Sequence, residues 1–413
     1  MPRSVQLRFL LKNYSQNLFD YKNIKFTFCA FIKFYYGSKN IYCQLCTGVL
    51  KIKYKTTIKR LKTFQPGFIY FVKKNTMKIL HYIAAISFLA TPIFAANSLE
   101  GEYVGKVDAK EGYFKDNPLI AAQVYREGNE YKVVIYPDLW RRAQPYVKFN
   151  ANANLDKIEF DQGGWNAFKG TISKNEITGV AIYSTKEGKK SAPMKLSKIK
   201  RKSPTLGKRP PKGAIKLIDG KSFDEWVATN GQPIRWEIVG DGSVKVSDTV
   251  SKWVDIATKK KFKNIRLHVE FMTPDERSKP LGQGRGNSGV FVGGFEVQVL
   301  DSFGSEGLWN ECGALYKYLP PQINASLPPE KWQTYDIEYH SPVFENGKMV
   351  KFPRITVFHN GMKIHGDVEL REATANGSAY RSITGMKDEP FSIRLQNHMN
   401  PVKYRNVWVQ EID

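Results

Sequence analysis

From residue 97 onward the chain is built of short runs of alternating apolar and polar residues, and this pattern constrains its fold more than any other feature. Tyr131 to Tyr136 (YKVVIY), Ala181 to Tyr183 (AIY), Arg266 to Phe271 (RLHVEF), Phe295 to Leu300 (FEVQVL), Tyr335 to Tyr339 (YDIEY) and Ile355 to Phe358 (ITVF) all repeat with a period of two. That is the period of a strand with one buried face. Gly, Asn, Pro and Asp separate the runs at spacings typical of sandwiches, and Asn360-Gly361 is a two-residue hairpin signal. Helical periodicity is scarce, so the expected fold class is all-β. A basic, Pro-rich stretch, 201–213, interrupts the alternation. Read as a solvated linker, it separates a smaller accessory β domain, 97–200, from a larger one, 214–413.

The first 96 residues are of a different character. Residues 1–76 hold 15 Lys+Arg and a single acid, Asp20, so +14 of the formal +24 charge falls there and +10 on the remaining 337 residues. They also hold 16 Phe+Tyr and three of the four cysteines, but no Trp and no Glu. Lys, Phe, Tyr, Ile and Asn have A/T-rich codons, so the bias reads as upstream spacer translated as protein, and the expected start is Met77 with 1–76 not folded. Residues 77–96 then read as a signal peptide: a short basic start at Lys78, an apolar run from Ile79 to Phe94, and a small-residue cleavage site at Ala95-Ala96. The apolar run is short for a membrane span. The expectation is an exported protein, periplasmic or extracellular, with no stable span after cleavage. Cys43 and Cys46 with Cys29 lack a second ligand pair, so a metal reading is set aside. Only Cys312 remains in the mature chain, which therefore rests on its core instead of internal disulfides. Nucleic-acid binding loses its electrostatic basis once the first 76 residues are removed.

A series of segments points to one family. Ile215 to Trp226 (IKLIDGKSFDEW), Arg285 to Phe291 (RGNSGVF), Phe295 to Ser302 (FEVQVLDS) and Cys312 to Lys317 (CGALYK) resemble, in that order, the 3-keto-disaccharide hydrolase family. The resemblance continues through Pro320 to Ser326 (PPQINAS), Trp332 to Asp336 (WQTYD), Phe358 to Gly361 (FHNG), Ile393 to His398 (IRLQNH) and Tyr404 to Trp408 (YRNVW). It implies a concanavalin-like two-sheet jelly roll and an exported enzyme acting on glycosides oxidised at C3, whose carbohydrate substrate a separate sugar dehydrogenase supplies. Pro118 to Val124 and Ser203 to Gly207 resemble an accessory domain that precedes this family. The family often has Asp-His-Gly where this chain has Asn397-His398-Met399.

Strand alternation sorts the polar residues without help from the family. In Phe295 to Leu300, Glu296 and Gln298 share the face opposite Phe295, Val297 and Val299; in Ile393 to His398, Arg394, Gln396 and His398 share the face opposite Ile393 and Leu395. Glu296 and His398 are the expected catalytic pair, as base or metal ligand and as proton carrier. Gln298, Lys317, Tyr316, Arg394, Gln396, Arg405, Asn287 and Asp301 are the expected substrate-binding set. Asp301 is out of phase with Glu296, so no second carboxylate of the classical glycosidase pair is visible. Elimination next to a C3 carbonyl needs only one base. No cofactor is certain from the residues; a divalent cation stays open, although the sequence alone does not assemble the several oxygen ligands that a hard cation needs. A lectin-like, non-catalytic sugar-binding protein is the alternative.

Overall fold

The structure, a computed structural model, describes residues 99–413 except 165, 250–252, 375–382 and 384, together with the backbone of 29–36, 39–46 and 49–53. The strands Cys29–Tyr36, Lys39–Cys46 and Val49–Lys53 form an antiparallel three-stranded sheet in a separate compact unit, residues 1–90. The expected signal segment, 77–96, lies outside the described residues. Residues 91–413 form the second unit. Among the described residues no helix is long and apolar enough to cross a membrane.

The fold is all-β. In the accessory domain an eight-stranded antiparallel sheet is made of two meanders, Gly101–Val107 through Val147–Asn152 and Ile158–Gln162 through Gly188–Ile199, joined where the first and last strands pair. Its inward residues, among them Tyr103, Val124, Val133, Phe168 and Ile177, form one core. The edge strands meet at Phe149 and Phe160, whose rings stack 5.3 Å apart, so the sheet curls on itself. Gly170 and Gly179 permit that curl, because a Cβ on either would run into the backbone of the other's strand.

The larger domain is a two-sheet jelly roll. One sheet runs in the order Glu237–Ile238, Ser243–Lys245, Lys403–Glu411, Ile265–Met272, Gln333–His340, Arg354–His359, Met362–Glu369, with Ile215–Ile218 also on Lys403–Glu411. The other runs Trp226–Ala228, Ile256–Thr258, Arg394–Leu395, Ser288–Val292, Phe295–Val299. Leu267, Val269 and Phe271 from the first sheet meet Val290, Val297 and Leu395 from the second in a single apolar core. Both sheets therefore turn their polar alternation outward.

The segment expected to be a solvated linker is instead a strap fastened to the outer face of the larger sheet. Ser203 Oγ lies 2.6 Å from Thr334 Oγ1, Thr205 Oγ1 donates to Asp336 Oδ2 (2.6 Å), and Gly207 N donates to Glu270 Oε1 (2.5 Å). Asn406 Nδ2 and Trp408 Nε1 both donate to Lys208 O. The outward polar row of the sheet needs partners once it is covered, and the strap supplies them. Arg201, at the head of the strap, pairs with the buried Glu102 of the accessory domain and donates to Ala325 O and Ser326 O of the jelly roll, each within 2.9 Å. The two β domains thus share one buried ion pair. Glu102→Gln should lower stability by about 3 kcal/mol, because it strands Arg201 without its counter-charge. Urea denaturation, monitored by fluorescence, should give one transition at a lower midpoint; an unchanged midpoint would show the pair to be incidental.

Candidate active site

The outer face of the five-stranded sheet collects the polar residues. Strand pairing sets Arg394 and Glu296 on either side of Phe291, and Ala257 beyond Arg394. An isolated bridge between Val297 and Leu315 adds one more segment, with Tyr316 N donating to Glu296 O (3.1 Å). One row across the sheet is therefore Ala257, Arg394, Phe291, Glu296, Tyr316. In the next row Gln298 pairs with Gly289, and Gln396 N donates to Gly289 O. Alternation adds Asp255 to this row, and Trp253, His398 and Asn287 one step further along.

Glycine at position 289 shapes the site. A Cβ there would overlap Glu296 Oε1, so the carboxyl group lies across bare backbone. Around this depression three buried amide oxygens, Asn287 Oδ1, Gln298 Oε1 and Gln396 Oε1, lack a protein partner. Their positions are fixed in part by Gln283, whose side-chain oxygen accepts from Asn287 (3.1 Å) and Gln298 (3.4 Å). Buried acceptors without partners are costly unless a ligand completes them. Hydroxyl groups of a sugar are suitable donors.

Glu296 is 6% exposed, and its pKa is pushed up to about 8, mainly by burial. The Arg394 charge opposes the rise and the Asp255 charge supports it. Arg394 stacks its guanidinium 3.5 Å from the Phe291 ring centroid and forms an ion pair with Asp255, whose other oxygen accepts from Asn397 N (2.8 Å). His398 stands at the rim, edge-on to the exposed Trp253 with centroids 6.3 Å apart. Among the described residues no group of three or more His, Cys, Asp or Glu side chains is placed to hold a metal ion. The oxygens available to a hard cation are Glu296 and the three amides, a set carrying a single negative charge.

Most of the expected site residues converge here: Glu296, His398, Gln298, Tyr316, Lys317, Arg394, Gln396 and Asn287. Two do not. Asp301 is buried in an ion pair with Arg285 (2.7 Å), because the chain leaves the strand at Leu300 and turns the carboxylate toward the loop that carries Arg285. Arg405 lies on the other sheet, bound to Glu270 (2.8 Å) and packed 4.0 Å from the Trp332 ring centroid. Asp255, Phe291, Gly289 and Gln283 were not anticipated. Asp255 had a signal in the sequence: Val254, Ile256 and Thr258 alternate inward, which sends Asp255 and Ala257 to the polar face.

Two hollows lie elsewhere. A cleft of about 1640 Å³ is lined by Glu100, Arg126, Arg277 and Glu330, and a smaller one, about 390 Å³, by the strap and Arg405. The charges of the first are largely paired, Arg277 with Glu100 at 2.9 Å among them. The Glu296 face is the candidate site because it joins unsatisfied acceptors to a shifted carboxyl, and not because of its volume.

Residues 213–410 match the 3-keto-alpha-glucoside-1,2-lyase-like domain family. Among solved structures, a candidate glycosyl hydrolase from Parabacteroides distasonis is 33% identical over 49% of this chain and 85% of its own, with a TM-score of 0.45. A second candidate glycosyl hydrolase from the same organism is 20% identical over 49% of this chain and 95% of its own, with a TM-score of 0.35. No curated protein matches the chain significantly. The jelly-roll domain makes the chain a member of this family of glycoside-cleaving enzymes.

The raised pKa of Glu296 has a consequence for stability. Folding lifts the group from its ordinary 4.5 to about 8, so stability present below pH 4.5 is lost as pH rises toward 8. Glu296→Gln does not titrate and escapes that loss. At pH 4 the variant and the parent should melt within ~1 °C of each other, and at pH 9 the variant should melt several degrees higher (roughly 2–4 °C per kcal/mol). Equal melting temperatures at both pH values would mean that the carboxyl is not desolvated.

Proposed function

We propose that the Glu296 face cleaves glycosides oxidised at C3, by elimination followed by hydration. The C3 carbonyl acidifies the hydrogen on C2. Glu296 takes that proton, the C2–H electron pair moves into an enolate on the C3 oxygen, and collapse of the enolate expels the C1 substituent as an alcohol once its oxygen is protonated. Water then adds at C1 and a proton returns to C2. Arg394, locked in place over Phe291, is the donor for the enolate oxygen, and His398 at the rim carries the proton to the leaving group. The three unpartnered amide oxygens receive the remaining sugar hydroxyls.

One observation carries this reading: among the described residues the face holds a single carboxyl group that is not already engaged by hydrogen bonds. Direct glycosidase chemistry requires two, ~5–9.5 Å apart. Asp255 is the other acid on the face among the described residues, and its charge is felt by Glu296. Both its oxygens are already engaged, by Arg394 and Asn397 N. A lone carboxyl with a raised pKa suits proton abstraction, because a stronger base is more effective against carbon acidity. Residues 77–96 fit an export signal, which would place this reaction outside the cytoplasm with a sugar dehydrogenase upstream of it.

Incubation with a 3-keto-glucoside and with the parent glucoside tests the proposal. The oxidised sugar alone should release its aglycone, and exchange of the C2 hydrogen with deuterated solvent should accompany release. Cleavage of the parent sugar alone would overturn the mechanism. Glu296→Gln should lower kcat by about 10²–10⁴. In the unmodified enzyme kcat/KM should rise with pH and level off near 8, since the base must lose its proton first. Asp255→Asn leaves the Arg394 charge unopposed and lowers the pKa of Glu296, so the same profile should move to lower pH.

A further inference from the structure

Beyond Glu296, on the side away from Arg394, the face continues into groups that the elimination does not use. Tyr316 stands next to Glu296 in the row. Lys317 follows with a left-handed backbone (φ 57°), which breaks the alternation. Its side chain therefore returns toward Tyr316, with Nζ 5.5 Å from that ring centroid and 5.8 Å from the ring centroid of Trp309. Lys317 N also donates to Trp309 O (2.9 Å), so Trp309 lies one chain further out. Glu296, Tyr316, Lys317 and Trp309 form a continuous run, and Trp309 is 47% exposed at its end. Two strand spacings separate it from Glu296, ~10 Å.

An exposed tryptophan on a mobile loop would mean little, but this one stands on a rigid mount. The Glu311 carboxylate accepts from Ser305 Oγ (2.8 Å), Gly307 N (2.6 Å) and Leu308 N (2.7 Å), closing the turn that leads into Trp309. Asn324 Nδ2 donates to Ser302 O (2.7 Å) and Ser305 O (2.9 Å) at the base of the same loop. The accessory domain braces it from the other side. The Tyr125 ring lies against the backbone of Gly304, where a Cβ would overlap it, and Lys148 pairs with Glu306. Such order in a loop with an exposed ring is expected where the ring is a preformed contact surface.

We propose that Trp309 is an outer sugar-stacking subsite, that the substrate is accordingly an oligosaccharide extending past the cleaved bond, and that the accessory domain serves to position this platform through Tyr125. The proposal rests on the reading of the Glu296 face as the cleavage site. A sugar presents a flat C–H surface that stacks on indole, and the open face of Trp309 is offered at the distance of the next one or two residues of the chain. Tyr125 is a positioning residue: it touches the loop and not the sugar.

The experiment uses 1,4-linked gluco-oligosaccharides of two, three and four units, in α and β series. Unoxidised chains are used for Kd by calorimetry and C3-oxidised chains for kcat/KM. Affinity and kcat/KM should rise ~10-fold with length in the parent protein, and Trp309→Ala should flatten the rise. Tyr125→Ala should flatten it too, through KM and not kcat, while Tyr125→Phe, which keeps the ring on Gly304, should restore it. Length dependence that survives Trp309→Ala, or its absence in the parent protein with both series, overturns the platform. Cleavage with no dependence on length would leave the elimination standing without the platform. Binding that grows with length through Trp309, with no cleavage of any oxidised chain, would keep the platform and remove the elimination.

Discussion

The site depends on a carboxyl group being kept from water on a sheet face that points away from the hydrophobic core. A residue on the outer face of a sheet is ordinarily half solvated, and Glu296 escapes this because its neighbours close over it. The Phe291 ring, with Arg394 flat upon it, walls one side, Tyr316 walls the other, and the Glu296 amide is tied to Thr374 Oγ1 (2.7 Å). Gly289 then provides the floor. Any side chain there would push the carboxyl outward into solvent, and the desolvation that makes it a stronger base would be lost.

The two β domains are joined by directional contacts and not by a flexible tether. Besides the Arg201–Glu102 pair, Arg277 binds Glu100, Arg142 Nη1 donates to Pro321 O (3.0 Å), and Gly128 N donates to Arg277 O (2.6 Å). Each of these ends on a loop of the jelly roll, 274–287 or 320–326. Loops carry the variable parts of a site and require a scaffold to hold them. The sandwich core holds the strands, and the accessory domain holds the loops.

Much of this was legible in the alternation. A period of two places Glu296 beside Gln298 and Arg394 beside Gln396 and His398 on polar faces without any knowledge of the partner strands. Alternation cannot say which sheet a strand joins, and for that reason Arg405, sound in its parity, belongs to the other face. It also fails where the strand ends: Asp301 follows two successive core residues, Val299 and Leu300, so counting outward from Glu296 loses its phase. The strap was misread on composition. Its Lys, Pro and Gly content suggests solvation, whereas its shape is set by the hydroxyls of Ser203 and Thr205 and by the amide of Gly207, all of which meet partners more than sixty residues away in the chain. Tertiary partners of that kind leave no local signature.

The sandwich carries two buried glutamates, one on each outer face, and their opposite behaviour separates function from structure. Glu270 is fully buried, which by itself would raise its pKa, yet the value falls to about 2 because the His268 ring lies 3.6 Å from it and Asn406, the Gly207 amide and Arg405 all donate to it. Those donors fix the strap in place and leave nothing for a ligand. Glu296 is almost as buried, but the Arg394 charge that opposes the rise is shared with Asp255, and so desolvation prevails and the pKa rises to about 8. Burial sets the size of the penalty in both cases, and the number of donors decides its sign. A carboxyl fully supplied with donors is a weak base and a good clamp. One that has been desolvated and left short of donors is a stronger base, and the unsatisfied amide oxygens around Gly289 leave acceptors beside it for the hydroxyls of a ligand.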